Sequence, residues 1–207
     1  GVASDRWGSG RFASRLELLY DRRPGGGSFE VWLDGRRVEV LEAAADPPRA
    51  GRRVYEVSDG PHRLEVRLRG DGPVTVYGVI MERDRPGVLV ENLGLVGSKA
   101  RHQLLWDEGL WRGYFEAREP DLVALAYGNN EAGDTHLEIE DHEAHLREVL
   151  GRIRAAAPEA SCLLIGPTDR PRRLDDGRIV RWPVVEEITQ MQRRVARDTG
   201  CAFFDTL

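Results

Sequence analysis

The 207 residues carry a net charge of −5, with 41% hydrophobic and 31% charged residues. This is the composition of a globular chain with ample apolar material for a core, and its mild acidity gives no basic footprint for nucleic acid. No apolar run approaches the roughly 18 residues that would span a membrane, and two cysteines, Cys162 and Cys201, make neither a disulfide framework nor a metal cluster. Gly1 rather than methionine opens the sequence, with no signal-peptide pattern behind it, which predicts a processed or trimmed start.

The first part reads as β-structure. In Phe29, Val31 and Leu33 against Glu30, Trp32 and Asp34, apolar residues alternate with mostly polar ones, and Leu64, Val66 and Leu68 repeat the pattern against Glu65, Arg67 and Arg69. That is the period of a strand with one buried and one wet face. Turn signals at residues 24–27, Asp34-Gly35, Asp59-Gly60-Pro61 and Gly70-Asp71-Gly72 separate the runs. Asp34-Gly35 has the chemistry of a two-residue hairpin turn. About six short strands fit between Phe12 and Glu82, spaced as in an antiparallel sandwich or jelly roll, so residues 1–83 are predicted to form a β-sandwich domain.

From residue 84 to 207 strand and helix patterns alternate, which predicts a parallel sheet. Val88, Leu89 and Val90 start a strand that runs out into Asn92-Leu93-Gly94-Leu95-Val96-Gly97. A helix with Leu104, Leu105, Trp111 and Phe115 on one side follows. Residues 122–127 are an uninterrupted apolar run, the pattern of a strand buried on both faces. A helix over about 135–157 places Ile139, Leu146, Val149, Leu150 and Ile153 on one face and stops at Pro158. Residues 162–166 are another buried strand. The last helix has Pro183 in its first turn, Val184, Ile188, Met191 and Val195 inward, and Gly200 just past its end. Residues 201–205 form the final strand. One sheet is expected to contain 88–90, 122–127, 162–165 and 202–204. Cys162 and Cys201 then open neighbouring strands, and because adjacent parallel strands rarely offer disulfide geometry, two buried free thiols are predicted.

In open α/β sheets the chemistry gathers at the carboxyl ends of the strands. The strand at 122–127 ends in Gly128-Asn129-Asn130-Glu131, where a glycine lets the backbone bend close to a ligand and an asparagine offers a neutral N–H to a developing oxyanion. Asn92 with Gly97 five positions later, followed by Gly128-Asn129-Asn130-Glu131 after the next strand, resembles two sequence blocks of the SGNH (GDSL-type) hydrolases. The Tyr-Gly-x-Asn-Glu form resembles the branch of peptidoglycan O-acetyl esterases, in which a carbohydrate-binding-like β-domain interrupts the hydrolase domain. The resemblance covers roughly residues 77–207. It implies a flavodoxin-like parallel-sheet SGNH hydrolase domain at 84–207 with the β-domain inserted, and a serine esterase that removes small acyl groups, acetyl foremost, from a carbohydrate. It also implies an extracytoplasmic location, an acylated carbohydrate as substrate, and no cofactor or metal. By the same resemblance Gly97 supplies a backbone N–H and Asn130 a side-chain N–H to the oxyanion hole, the nucleophilic serine being the third donor.

Two further blocks of the family are missing. The 207 residues contain no Gly-Asp-Ser, and no Asp-x-x-His follows the final strand. The expectation is therefore an incomplete hydrolase domain, inactive by itself, whose central strand is supplied by omitted residues or a second polypeptide. The alternative is a non-catalytic glycan-binding protein on a degenerate hydrolase scaffold. Other constellations read as structural. Asp59-Gly60-Pro61-His62 matches Asp-x-x-His literally but sits in a turn between two strands. Ser9 in Gly8-Ser9-Gly10 lacks the strand-turn-helix setting of a nucleophile elbow. Ser98 and His102 read as a helix cap with a surface histidine, and His142 and His145 with Glu138 and Asp141 as the wet face of a helix. Trp7, Trp32, Trp106 and Trp111 read as core or lid residues, and Trp182 as a candidate pocket wall.

Overall fold

Period-two alternation in the first part of the sequence builds two antiparallel sheets. The computed structural model describes residues 2–3, 12–134, 136 and 138–207, so Trp7 and Ser9 lie outside the described residues. The chain divides into two units, Gly1–Glu91 and Asn92–Leu207.

The first unit contains β1 (Val2–Ala3), β2 (Ala13–Arg22), β3 (Ser28–Leu33), β4 (Arg36–Glu42), β5 (Arg49–Gly60), β6 (Arg63–Leu68) and β7 (Val76–Glu82). One sheet has the order β1-β6-β3-β4 and the other β5-β2-β7. Leu16, Leu18 and Tyr20 from the second sheet pack with Phe29, Val31 and Leu64 from the first in a single core. Burying such side chains contributes about 1.5–3 kcal/mol each. Within the two alternating runs Leu68 departs from the pattern, ending its strand exposed, and on β4 Val38 and Val40 are exposed as well. Asp34 and Gly35 join β3 to β4 with φ of 50° and 79°, the two positive angles that a mirror-image hairpin turn requires.

The second unit contains α1 (Ala100–Gln103), α2 (Glu108–Arg118), β8 (Leu122–Ala126), α3 (Ile139–Ala156), β9 (Ser161–Ile165), β10 (Pro171–Arg173), β11 (Ile179–Arg181), α4 (Pro183–Thr199) and β12 (Ala202–Phe204). The strands β8, β9 and β12 form a parallel sheet in which β9 is central. The apolar patterns of the last two helices hold. Pro183 opens α4 and Gly200 closes it with φ 71°, while Ile188, Met191 and Val195 are fully buried. Leu146, Val149, Leu150 and Ile153 of α3 pack with Leu125, Leu164, Met191 and Val195 in the core of this unit.

Three expectations are corrected. Val88, Leu89 and Val90 form no strand, and their side chains are exposed. Three apolar residues between Pro86-Gly87 and Glu91-Asn92 have too little of their own to hold an extended form, and a strand persists only where a neighbour takes its backbone groups. The single helix expected over Leu104 to Phe115 is broken instead. The chain turns at residues 104–106 and restarts at Asp107, whose carboxylate caps α2 by accepting from Leu110 N at 2.9 Å, so Leu105 faces solvent. Nor is β8 buried on both faces. Val123 and Leu125 face the helices with Cys162, Leu164, Cys201 and Phe203, but Leu122 and Phe204, on the opposite face, are 54% and 59% exposed. An apolar run shows that a strand avoids polar side chains; it does not show what covers each face.

The cysteines are also corrected. Cys162 and Cys201 are joined by a disulfide, with an S–S distance of 2.12 Å and Cα atoms 4.7 Å apart. The ladder pairs Ala202 with Leu163, which sets Cys201 opposite Cys162 just before β12 begins. There the chain is leaving the left-handed turn at Gly200, and the Cα separation falls within the range that a disulfide bridges. The bond closes a loop with a sequence separation of 39 residues. Reductant is therefore expected to lower unfolding stability by about 2–4 kcal/mol. Urea unfolding with and without reductant measures this, and an unchanged midpoint would show that the bond does not constrain the unfolded chain.

Candidate active site

The loop after β8 is built around a glycine that nothing else can replace. Gly128 has φ 120°, and a Cβ there would meet Pro167 at 3.0 Å and Ile188 at 3.1 Å. The chain turns tightly behind it, Ala132 N donating to Gly128 O and Asp134 N to Glu131 O, both at 2.8 Å. Tyr127, just before the turn, is tied down at both ends. Its carbonyl accepts from Gln192 Nε2 at 2.8 Å and its hydroxyl from Gln103 Nε2 at 2.6 Å.

Glu131 fastens this loop to the one before α1. Its carboxylate is 2% exposed, and its two oxygens accept from Gly128 N and Ala100 N, each at 2.8 Å. Asn130 makes a second tie, donating from Nδ2 to Ser98 O at 2.8 Å. Lys99 completes the junction with an ion pair to Asp134. Three consecutive residues, Ser98, Lys99 and Ala100, are thus each held by the loop after β8. Gly97 precedes them with φ 76°, in the left-handed region. Both Gly97 and Asn130 are exposed, and among the described residues neither the Gly97 N–H nor the second Asn130 amide hydrogen meets an acceptor. The arrangement can present neutral donors to an oxygen from solvent.

Residues 57–207 match the model of the GDSL-like lipase/acylhydrolase family, nearly three-quarters of the chain. The chain belongs to this family. No curated protein sequence matches it. Among solved structures it is similar to a peptidoglycan O-acetylesterase at 24% identity and TM-score 0.72, the match covering 94% of this chain and 52% of the other. This likeness concerns the fold, and the chain spans about half the length of that structure's chain. A family two carbohydrate esterase from Clostridium thermocellum, solved in complex with cellohexaose, matches at 11% identity and TM-score 0.38, covering 94% of this chain and 79% of that one.

Two of the histidines, His62 and His102, serve as structural fastenings. His62 Nδ1 lies 2.7 Å from Asp34 Oδ2 and Nε2 lies 2.7 Å from Ser58 O. Burial alone pushes the His62 imidazole down, but the Ser58 carbonyl and the Asp34 carboxylate outweigh it and hold its pKa above the ordinary value. Asp59 meanwhile pairs with Arg83 and Arg85. The literal Asp-x-x-His is therefore two separate turn fastenings. His102 Nδ1 accepts from Lys99 N at 3.1 Å and caps α1.

His142 departs from its expected place on a wet helix face. It is 2% exposed, with Nδ1 3.8 Å from Glu131 Oε1 and no hydrogen-bond partner at Nε2. Burial favours the neutral imidazole and holds its pKa below the ordinary value, against the upward pull of the Glu131 charge. It lines a small cavity of about 60 Å³ with Lys99, Glu131, Asp134 and His145. Among the described residues no three His, Cys, Asp or Glu side chains are placed to hold a metal ion. No described helix is long and apolar enough to cross a membrane. Trp182 is half-buried at the start of α4 and packs with Ala132, Val185 and Ile188 beneath the Gly128 loop.

Proposed function

We propose that these residues form the oxyanion half of a serine esterase that removes acetyl or similar small acyl groups from a carbohydrate such as peptidoglycan or another polysaccharide. The reading rests above all on the Asn130 amide. One hydrogen is committed to Ser98 O at 2.8 Å, which fixes the group one residue from Gly97 and leaves its second hydrogen for a ligand. In the proposed reaction a serine Oγ adds to the ester carbonyl carbon while a histidine takes the hydroxyl proton. The carbonyl electron pair moves onto oxygen, where the Gly97 N–H and the Asn130 N–H stabilise it. Collapse expels the sugar oxygen, which receives the proton from histidine, and water then releases the acyl group as carboxylic acid by the same steps.

The serine and histidine come, on this reading, from outside these 207 residues, the serine on a parallel strand that pairs with the free edge of β8. In its favour, β8 is paired on one side only among the described residues, and its outward Leu122, Ala124 and Ala126 are exposed, an unusual state for a parallel strand. The Cys162–Cys201 disulfide favours an oxidising, extracytoplasmic compartment. The test compares acetate release from an aryl acetate by the 207-residue chain alone and by the polypeptide or complex that adds a Gly-Asp-Ser strand. The second is expected to be active and the first silent. Equal rates would place the nucleophile inside this chain, and no release by the larger species would end the esterase reading.

A further inference from the structure

Beside the candidate site stands a short hairpin of unusual charge. Residues 169–182 hold five arginines against three aspartates in a chain of net charge −5. The hairpin is formed by β10 and β11, with Arg172 opposite Val180 and Arg173 opposite Ile179. Its root is bound to the loop after β8. Thr168 Oγ1 donates to Asn129 Oδ1 at 3.2 Å, and Arg170 Nη1 donates to Asn129 O at 2.9 Å, one residue from Asn130.

The arginines divide into two groups. Arg178 is paired with Asp176, and Arg181 with Asp169 and Glu186. Arg170, Arg172 and Arg173, however, meet no carboxylate among the described residues, and all three are exposed. Arg170, just before β10, and Arg172 within it hold their guanidinium carbons 5.3 and 5.9 Å from the Trp182 ring. Stacking of this kind fixes the plane of a guanidinium and leaves its N–H edge to meet an anion. One of these three guanidinium groups, Arg170, is thus fastened to the backbone next to Asn130, Arg172 shares its aromatic wall, and Arg173 follows on the same short strand. Scattered surface arginines kept for solubility need neither that anchoring nor the aromatic wall.

We infer that this hairpin is a specificity element, and that the substrate is a glycan bearing a carboxylate close to its acyl ester. This deepens the esterase reading and rests on it for the word substrate. The carboxylate belongs either to an acidic sugar or to a peptide attached to the glycan, and both present the same planar pair of oxygens to the arginines.

Binding can be read without turnover, so a failed esterase assay and a failed carboxylate site give different results. Calorimetric titration of the larger, active species would use ester-free oligosaccharides in three forms: one with a sugar carboxylate, its carboxyl-reduced counterpart, and a neutral glycan carrying a peptide carboxylate. At least one carboxylate form is expected to bind about tenfold tighter than the reduced form, since two or three exposed charge contacts each give a few-fold. The arm that shows the preference identifies the source of the carboxylate. The preference should shrink at high salt and fall to near unity in an Arg172→Gln/Arg173→Gln variant, while Arg152→Gln on α3 should leave it intact. Equal affinity for all three forms, or a preference that survives the double substitution, would overturn the inference.

Discussion

Replacing Asn130 by alanine is expected to lower the turnover of the active species on an aryl acetate by roughly 10²–10³, the usual loss when one oxyanion donor is removed. On the proposed reading the variant removes two things together: the bond to Ser98 O and the second N–H offered to the oxyanion. The first is a single neutral hydrogen bond at an exposed site, worth about 0.5–1.5 kcal/mol. Its loss should move the melting temperature of the chain by only a few degrees. The larger effect should fall on kcat rather than KM, because charge builds on the carbonyl oxygen only in the transition state. Asn130→Asp gives a stricter comparison. It keeps the shape but replaces the donor with a negative charge aimed at the oxyanion, so it should be at least as damaging as alanine. Turnover of either variant within a few-fold of the parent would remove Asn130 from the reaction.

Much of this arrangement can be read from residue order, and the unread part has a common cause. Pro183 and Gly200 mark α4 because each acts on its own backbone, and Asp34-Gly35 marks a hairpin for the same reason. The runs that became β8, β9 and β12 are apolar enough to stand out against their helices. Gly128, Asn129 and Asn130 interrupt the first of these runs abruptly, which marks the loop in the sequence. What local pattern cannot carry is register and coverage. The disulfide depends on Cys201 lying opposite Cys162 across a ladder, and spacing along the chain does not encode that. Val88 to Val90 has the composition of a strand but no neighbour to pair with among the described residues. His142 lies on a helix surrounded by Glu138, Asp141 and Glu143, so its burial follows from where Glu131 sits and not from its own surroundings in sequence. Glu131 stands in the sequence only as the last residue of the Tyr-Gly-x-Asn-Glu form. Its two backbone bonds span the loops before α1 and after β8, a relation that only the folded chain displays.

Removing the Glu131 carboxylate should destabilise the chain more than any other single change near the site. Glu131→Ala leaves the N–H groups of Gly128 and Ala100 without their acceptor, and Gly128 and Ala100 are both buried. Each buried unsatisfied group costs about 1–3 kcal/mol, so the pair should cost about 2–6 kcal/mol. For a chain of this size that corresponds to a fall of roughly 10 °C in melting temperature. Glu131→Asp keeps the charge but shortens the side chain by one methylene, so it can satisfy one loop well and the other poorly; its cost should be intermediate. Glu131→Gln keeps one acceptor oxygen and turns an N–H₂ group towards the second backbone N–H, which sets donor against donor. That variant also gives a second readout at His142. The Glu131 charge raises the His142 pKa against burial, so the neutral amide should let the imidazole fall further below its ordinary value. Nuclear magnetic resonance titration of the histidines would follow this while calorimetry follows the melting. A Glu131→Ala variant that melts within a degree or two of the parent would show that water replaces the carboxylate at both N–H groups. If the His142 titration is also unmoved in Glu131→Gln, the two side chains are not electrostatically linked, and Glu131 cannot be what holds the Ser98–Ala100 segment against the Gly128 loop.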